Sequence, residues 1–370
     1  MNKLYLSVLL LFPLYTSAQT VKTDSLPTLR FSGYADVYFA HFTNETTPNE
    51  LQPYTTAGNR NNRFSLNVAQ IGAHYRSEKV RGNIIIHYGD IMEATWSTTF
   101  RAVQEANIGI NVGDDWWVDA GFFATHIGTE SFLPKNNLLA STAVATFNEP
   151  FYQSGVKLSY DGFSELDFEF WVSSGYNGFL DNNDAKSVGI LLSYHFNANT
   201  RLTYTNIFGR ESADNADLDQ FRTYHNLYLN AKPTDFLEII AGGDFGTQSN
   251  SAINNPNQMA IIFNALATIR YYFSEDFSAT VRGEIFQDPE GFISGTFFGN
   301  NGLRQGLQLG GFTLGAEYRP IPNAFARLET RYLVLDDNLE IFINNEQPTN
   351  TRLEILATLG FTFDKLFDLN

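Results

Sequence analysis

The sequence predicts an all-β chain, a single transmembrane antiparallel up-and-down β-barrel of about 16 strands (about 14 to 18). Three observations predict it. The stretch from Thr351 to Phe363 sets Leu353, Ile355, Ala357, Leu359, Phe361 and Phe363 on one face. Arg352, Glu354, Leu356, Thr358, Gly360 and Thr362 fall on the other. Period-2 alternation over about 13 residues marks a strand apolar on one side and mostly polar or small on the other, longer than soluble strands usually run. That length suits a tilted crossing of a roughly 25 Å apolar band. Comparable segments recur along the whole chain, and short and long connections alternate between them.

Taken in order, MNKLYLSVLLLFPLYTSAQT reads as a secretory signal peptide cleaved near Ala18, which leaves residues 19–370 as one barrel domain. Alternating segments are then expected near 28–42, 63–76, 80–91, 101–112, 115–126, 150–161, 165–178 and 186–197. The second half continues near 200–210, 221–231, 236–248, 259–273, 276–287, 306–318, 324–336 and 351–363, with DKLFDLN left as a tail. In 63–76 and 306–318 the apolar phase slips by one residue, as a β-bulge would cause.

Short links such as RSEK, GDD, DGFS, NAN, KPTD, SED and RPIPN are rich in turn formers. Long ones fall at 43–62, 127–149, 210–220, 288–305 and 337–350. Brief periplasmic turns and long outer loops sort in this way, whereas a soluble sandwich has no reason to. Aromatics gather at the short turns: Tyr75, Trp116, Trp117, Tyr160, Phe163, Phe196, Phe236, Tyr271, Tyr272, Phe273, Phe277, Tyr318, Phe325, Phe361 and Phe363. On the barrel reading they form the inner interfacial girdle.

Composition excludes several classes. The chain has no Cys, so neither a disulfide framework nor a lipid on an N-terminal thiol is available. Beyond the leader, no apolar run approaches the ~18 residues of a membrane helix. A net charge of −16 argues against nucleic acid as a partner. His41, His74, His87, His126, His195 and His225 show no metal-ligand spacing, so neither a metal site nor a cofactor is expected. The runs Asp181–Asp184 and Asp214–Asp219 resemble calcium loops superficially but lack the loop's Gly and terminal Glu.

Polar side chains on strand faces opposite the apolar set should line the interior. The candidates are Asp36, Arg81, Glu105, Asp119, Arg270, Arg282, Glu284, Arg327, Arg331 and Glu354. At the lipid midplane a basic one would cost about 2–4 kcal/mol, so the inward face is the physical default. Two readings stay open for them: a field across a pore, or ion pairs that only brace the wall.

The phrases SGYADVYFAH, NVAQIGAHY, VRGNIIIHYGD, QEANIG, GFFATHIGTESFLPKNN, PFYQSGVKLSY and SSGYNGFLDNNDAKSVGILLSY occur in that order. With them the chain resembles the OmpL-like outer-membrane β-barrel porin family of Gram-negative bacteria, distinctly over the first eight strands and by pattern thereafter. The resemblance implies an outer-membrane pore for passive diffusion of small hydrophilic solutes, with lipids as its surroundings and no catalytic residues. The acidic total suggests a mild cation preference.

By analogy with 16-stranded general porins, the third outer loop, Thr125 to Pro150, enters the barrel and Glu130, Lys135 and Glu149 become constriction residues facing wall arginines. Capping the barrel or packing between subunits are the other uses of so long a loop. A homotrimer is the assembly this analogy implies. Two rival functions remain: a structural or adhesive barrel, and a barrel hydrolase built on Ser131, His126 and Glu130.

Overall fold

The computed structural model describes residues 26–47, 50–180 and 183–369, so the expected signal peptide lies outside the described residues. The chain forms β1 (Thr28–Phe42), β2 (Arg63–Arg76), β3 (Val80–Tyr88), β4 (Val103–Gly113), β5 (Trp116–Ala124), β6 (Tyr152–Tyr160), β7 (Leu166–Ser173) and β8 (Ser187–Asn197). It continues through β9 (Thr200–Arg210), β10 (Phe221–Thr234), β11 (Leu237–Gln248), β12 (Ala260–Tyr272), β13 (Phe277–Gln287), β14 (Gln308–Ile321), β15 (Ala324–Leu335) and β16 (Thr351–Asp368). Each strand pairs with its sequence neighbours and β1 pairs with β16, which closes a 16-stranded antiparallel barrel. No helix among the described residues is long and apolar enough to cross a membrane; here the strands cross.

Alternation decides which side chains meet lipid. Ile84 and Ile86, Ile108 and Ile110, Phe312 and Leu314, and Ile355 and Leu359 all stand exposed on the outer wall. Their neighbours Ile85, His87, Thr313, Arg352 and Glu354 are buried inside. The exposed chains form the apolar band that lipid covers, so their exposure is no defect.

Three details differ from the sequence reading, and one bulge agrees with it. The last strand runs on to Asp368, because β1 begins early enough to pair Thr28 with Asp368, so DKLFD is wall and not tail. Arg30 and Asp364 bridge that extension at 3.1 Å, and Phe31 meets Phe367 edge-on. Strand β7 stops at Ser173, short of 178, since Tyr176 turns inward against Tyr224. The slip in 63–76 is a real bulge, with Asp36 opposite Val68 and Val37 opposite Leu66. The slip in 306–318 is not. Register with β13 is unbroken there, and Leu309 points inward because it joins an apolar cluster under the outer loops.

Most girdle aromatics are exposed near the short turns, as expected. Trp117 and Phe325 are exceptions. Both are buried inside, under arginines: Arg81 lies 4.5 Å from the Trp117 ring centre and Arg327 lies 4.2 Å from that of Phe325. A guanidinium over an aromatic face repays part of its lost hydration.

The outer loops fill the upper barrel. Residues 51–60, 89–96 and 125–151 turn inward, and α1 (Asp90–Thr95) and α2 (Val144–Asn148) lie within them. Thr56 of the first loop and Thr142 of the third share a 2.6 Å hydrogen bond. Above them Tyr54, Val144, Tyr176, Leu307, Leu309, Leu339 and Phe342 pack into one apolar core.

Candidate functional site

The site is the barrel interior where the third outer loop crosses it. Cross-strand register assembles one wall of it. Glu317 on β14 is directly opposite Arg327 on β15, and Arg331 on β15 is opposite Glu354 on β16. Glu317 holds Arg270 at 3.1 Å, Arg327 at 2.6 Å and Arg319 at 3.0 Å. Higher up, Glu284 holds Arg331 at 2.8 Å, and Glu354 holds Arg352 at 2.6 Å. Like charges are thereby separated by opposite ones along five strands, which is what keeps buried guanidiniums tolerable.

The loop is bound to this wall through its backbone. Arg327 donates to the carbonyls of Pro134 and Asn137 at 2.8 and 2.9 Å, and Arg282 donates to Ser141 at 2.7 Å. Arg270 donates to the Leu138 carbonyl. Carboxylates take the opposite groups. Glu329 accepts from the amides of Ala140 and Ser141 and from the Ser141 hydroxyl, and Glu284 accepts the Val144 amide at 2.6 Å. Charge-assisted bonds of this kind are shorter and stronger than neutral ones. Gly315 lets the loop lie close, since a Cβ there would fall 2.5 Å from Leu139.

Of the three expected constriction residues, Glu130 faces a wall arginine: Arg282 lies 3.0 Å away. Its other oxygen accepts the Ala143 amide at 2.7 Å, so it also folds the loop on itself. Lys135 does not meet that wall. It reaches Gln70 at 2.9 Å and lies over the Tyr34 ring, and burial pushes its ammonium down to about 8. Nor does Glu149 face an arginine. It is buried against Asp244 on β11, and burial, then that carboxylate, pushes it well above the usual range.

The remaining candidates also point inside. Asp36 accepts from Tyr34 at 2.8 Å and from Asn67 at 2.6 Å. Arg81 forks onto Asp119 and reaches Ser159 at 2.8 Å, while Glu105 accepts from Asn107 at 3.4 Å. Below the loop, Lys157 pairs with Glu169 and His195 with Asp167, all four partly exposed to the lumen. The sequence reading missed Glu317, Glu329, Arg352 and Asp244. Glu329 and Arg352 were detectable, because each shares the inward phase of a chosen residue on its own strand, Arg331 on β15 and Glu354 on β16.

Ser131, His126 and Glu130 are not assembled as a catalytic set. Both ring nitrogens of His126 are engaged elsewhere, with Gln153 and with the Asn206 carbonyl, each at 2.9 Å. The Ser131 hydroxyl receives the Leu133 amide and the Asn136 amide group instead. Of the acidic outer runs, Asp181 and Asn182 lie outside the described residues. Arg210 bridges Asp214 and Asp219.

A family model described as "Putative beta-barrel porin-2, OmpL-like" matches residues 28–363. No curated protein matches the chain in sequence. Among solved structures, the fold is similar to an anion-selective porin from Comamonas acidovorans, at TM-score 0.60 and 7% identity over 91% of this chain and 100% of that one. The outer membrane channel DcaP of Acinetobacter baumannii gives TM-score 0.61 and 10% identity over 94% and 100%. OmpT of Vibrio cholerae gives 0.55 and 12% over 93% and 99%.

Removing the hub of the ladder should be costly. Glu317→Gln leaves Arg270 and Arg327 buried with a neutral partner, and a loss of about 3–5 kcal/mol in folding stability is expected. Urea titration of the refolded barrel in vesicles reads it; an unchanged midpoint would mean the ladder is hydrated and its pairs are weak.

Proposed function

The chain belongs to the OmpL-like β-barrel porin-2 family, and on that premise we propose how it works as a pore: solutes pass a constriction made by the third loop. The protein is an outer-membrane porin for passive diffusion of small hydrophilic solutes. The observation that supports the constriction is the strapping of residues 134–144 to three wall strands, β12, β13 and β15, by Arg270, Arg282, Glu284, Arg327 and Glu329. A loop held by so many charged contacts keeps one position, and its inner edge sets the width. The candidates Asp36, Arg81, Glu105, Asp119, Arg331 and Glu354 then line the wall around it. The activity needs no cofactor and no chemical step. The engagement of both His126 nitrogens speaks against a hydrolase.

Single-channel recording in a planar bilayer tests the constriction. Arg282→Ala with Glu130→Ala frees the middle of the loop, and discrete steps larger or noisier than those of the unaltered protein are expected. Unchanged steps would move the narrowest point elsewhere, and silence from folded barrels would sink the pore reading.

A mild cation preference is our reading of selectivity, supported by the acidic total. Lys135 loses its proton above about pH 8, so the lumen becomes more negative there. Reversal potentials in a KCl gradient should shift toward cations between pH 7 and pH 9, and Lys135→Met should abolish that shift. Anion preference at both pH values would overturn the reading.

We also propose a homotrimer, supported by the trimer form recorded for Vibrio cholerae OmpT. Light scattering of the detergent complex is expected to return three chains; the mass of one would retire the idea.

A further inference from the structure

Most interior carboxylates are answered by an arginine, a lysine or backbone amides, and Asp36 and Glu105 by neutral side chains; one pair among the described residues differs. Glu130, Glu284, Glu317 and Glu354 each meet a guanidinium, and Glu329 meets amides. Glu149, at the end of the third loop, and Asp244, on β11, lie against each other instead. The charges acting most strongly on Glu149 are Asp244 and Glu130, both negative. Two carboxylates about 4 Å apart repel by about 4 kcal/mol at an effective dielectric of 20, so something must neutralise them.

The surroundings indicate what. Register places Thr205, Asn226, Asp244 and Asn264 side by side across β9 to β12. Asn226 donates to Asp244 at 2.7 Å and to Thr129 of the loop at 3.0 Å. Asn264 also donates to Asp244 at 3.4 Å, and the Tyr224 hydroxyl lies against Asp244 and Asn264. Yet among the described residues Asn226 Oδ1, Asn264 Oδ1, Thr205 Oγ1 and Glu149 Oε1 have no hydrogen-bond partner. Each of these residues is at least nine-tenths buried. A single shared proton would relieve the carboxylates but leave the neutral oxygens unsatisfied. A hard cation would relieve both, because calcium takes about six to eight oxygens from carboxylates, amides and hydroxyls. Glu149 lines a cavity of about 310 Å³ that it shares with Tyr54, Phe147, Tyr176, Arg222 and Phe292.

We propose that Glu149 and Asp244, with the side-chain oxygens of Asn226, Asn264 and Tyr224, bind a divalent cation of the calcium type inside the barrel. The cation would fasten the end of the third loop to β10–β12, opposite the arginine wall that holds its middle. Gly242 on β11 fits this seat: a Cβ there would fall 2.3 Å from the Thr129 hydroxyl.

Terbium luminescence excited through tyrosine tests this on the refolded full barrel, with calcium as competitor. Terbium emission displaced by calcium is expected, with affinity at least about ten-fold weaker in Glu149→Gln with Asp244→Asn. Asn264→Ala, which keeps both carboxylates, should weaken it several-fold and serves if the double variant does not fold. The outer-loop variant Asp217→Asn with Asp219→Asn should leave it unchanged. Emission that calcium does not displace, equal affinity in the lumen variants, or loss only in the outer-loop variant would each overturn the site. Binding is read without transport, so its failure and a failure to conduct are separate results.

Discussion

A segment folded inside a closed barrel must satisfy its peptide groups there, and this requirement governs the interior. The third loop carries only a 3-10 turn, Pro134–Asn136, and the short helix α2, so regular structure satisfies few of its amides and carbonyls. Each polar backbone group left buried without a partner costs about 1–3 kcal/mol. The wall supplies the partners by sign: arginines reach the carbonyls, carboxylates reach the amides. The same arginines and carboxylates also pair with each other, so each is aimed before the loop arrives. Width, charge and stability thus depend on one network.

That network occupies one side. Strands β12, β13 and β15 present the charged side chains that grip residues 134–144, whereas β9 and β10 meet the loop through neutral groups such as Asn206 and Asn226. The strong side fixes where the loop is. Its weaker side is where passage or adjustment is cheapest, because fewer charged contacts must break there. An aromatic and aliphatic core above the loop keeps the outer segments together without adding charge.

Strand positions were legible because alternation with lipid outside and polar chains inside is enforced in every strand. Where it failed, the reason is local. Leu309 points inward although apolar, since the outer loops folded into the barrel give it apolar neighbours, and that made β14 look bulged. The run DKLFD lacked strong alternation and was read as a tail, yet β1 offered it a partner. Inward charge was legible residue by residue for Arg270, Arg282, Glu284 and Arg331. Partners were not, because pairing depends on register between strands far apart in sequence, as for Arg282 and Glu130.

The total charge is a weak guide to what the lumen does. The negative surplus of 16 is spread over the whole chain, including turns and outer runs such as Glu275–Asp276 and Asp217–Asp219. Inside, the six arginines of β12 to β16 outnumber Glu284, Glu317, Glu329 and Glu354 by two, and Glu130 of the loop answers one of these, so that wall is slightly positive as a unit. What an ion feels there is set by the few groups the ladder leaves over: Lys135 beneath the loop, and Glu149 with Asp244 at its end. Small changes at those three residues outweigh many charges on the outside, because screening over a Debye length of about 8 Å removes distant charge first.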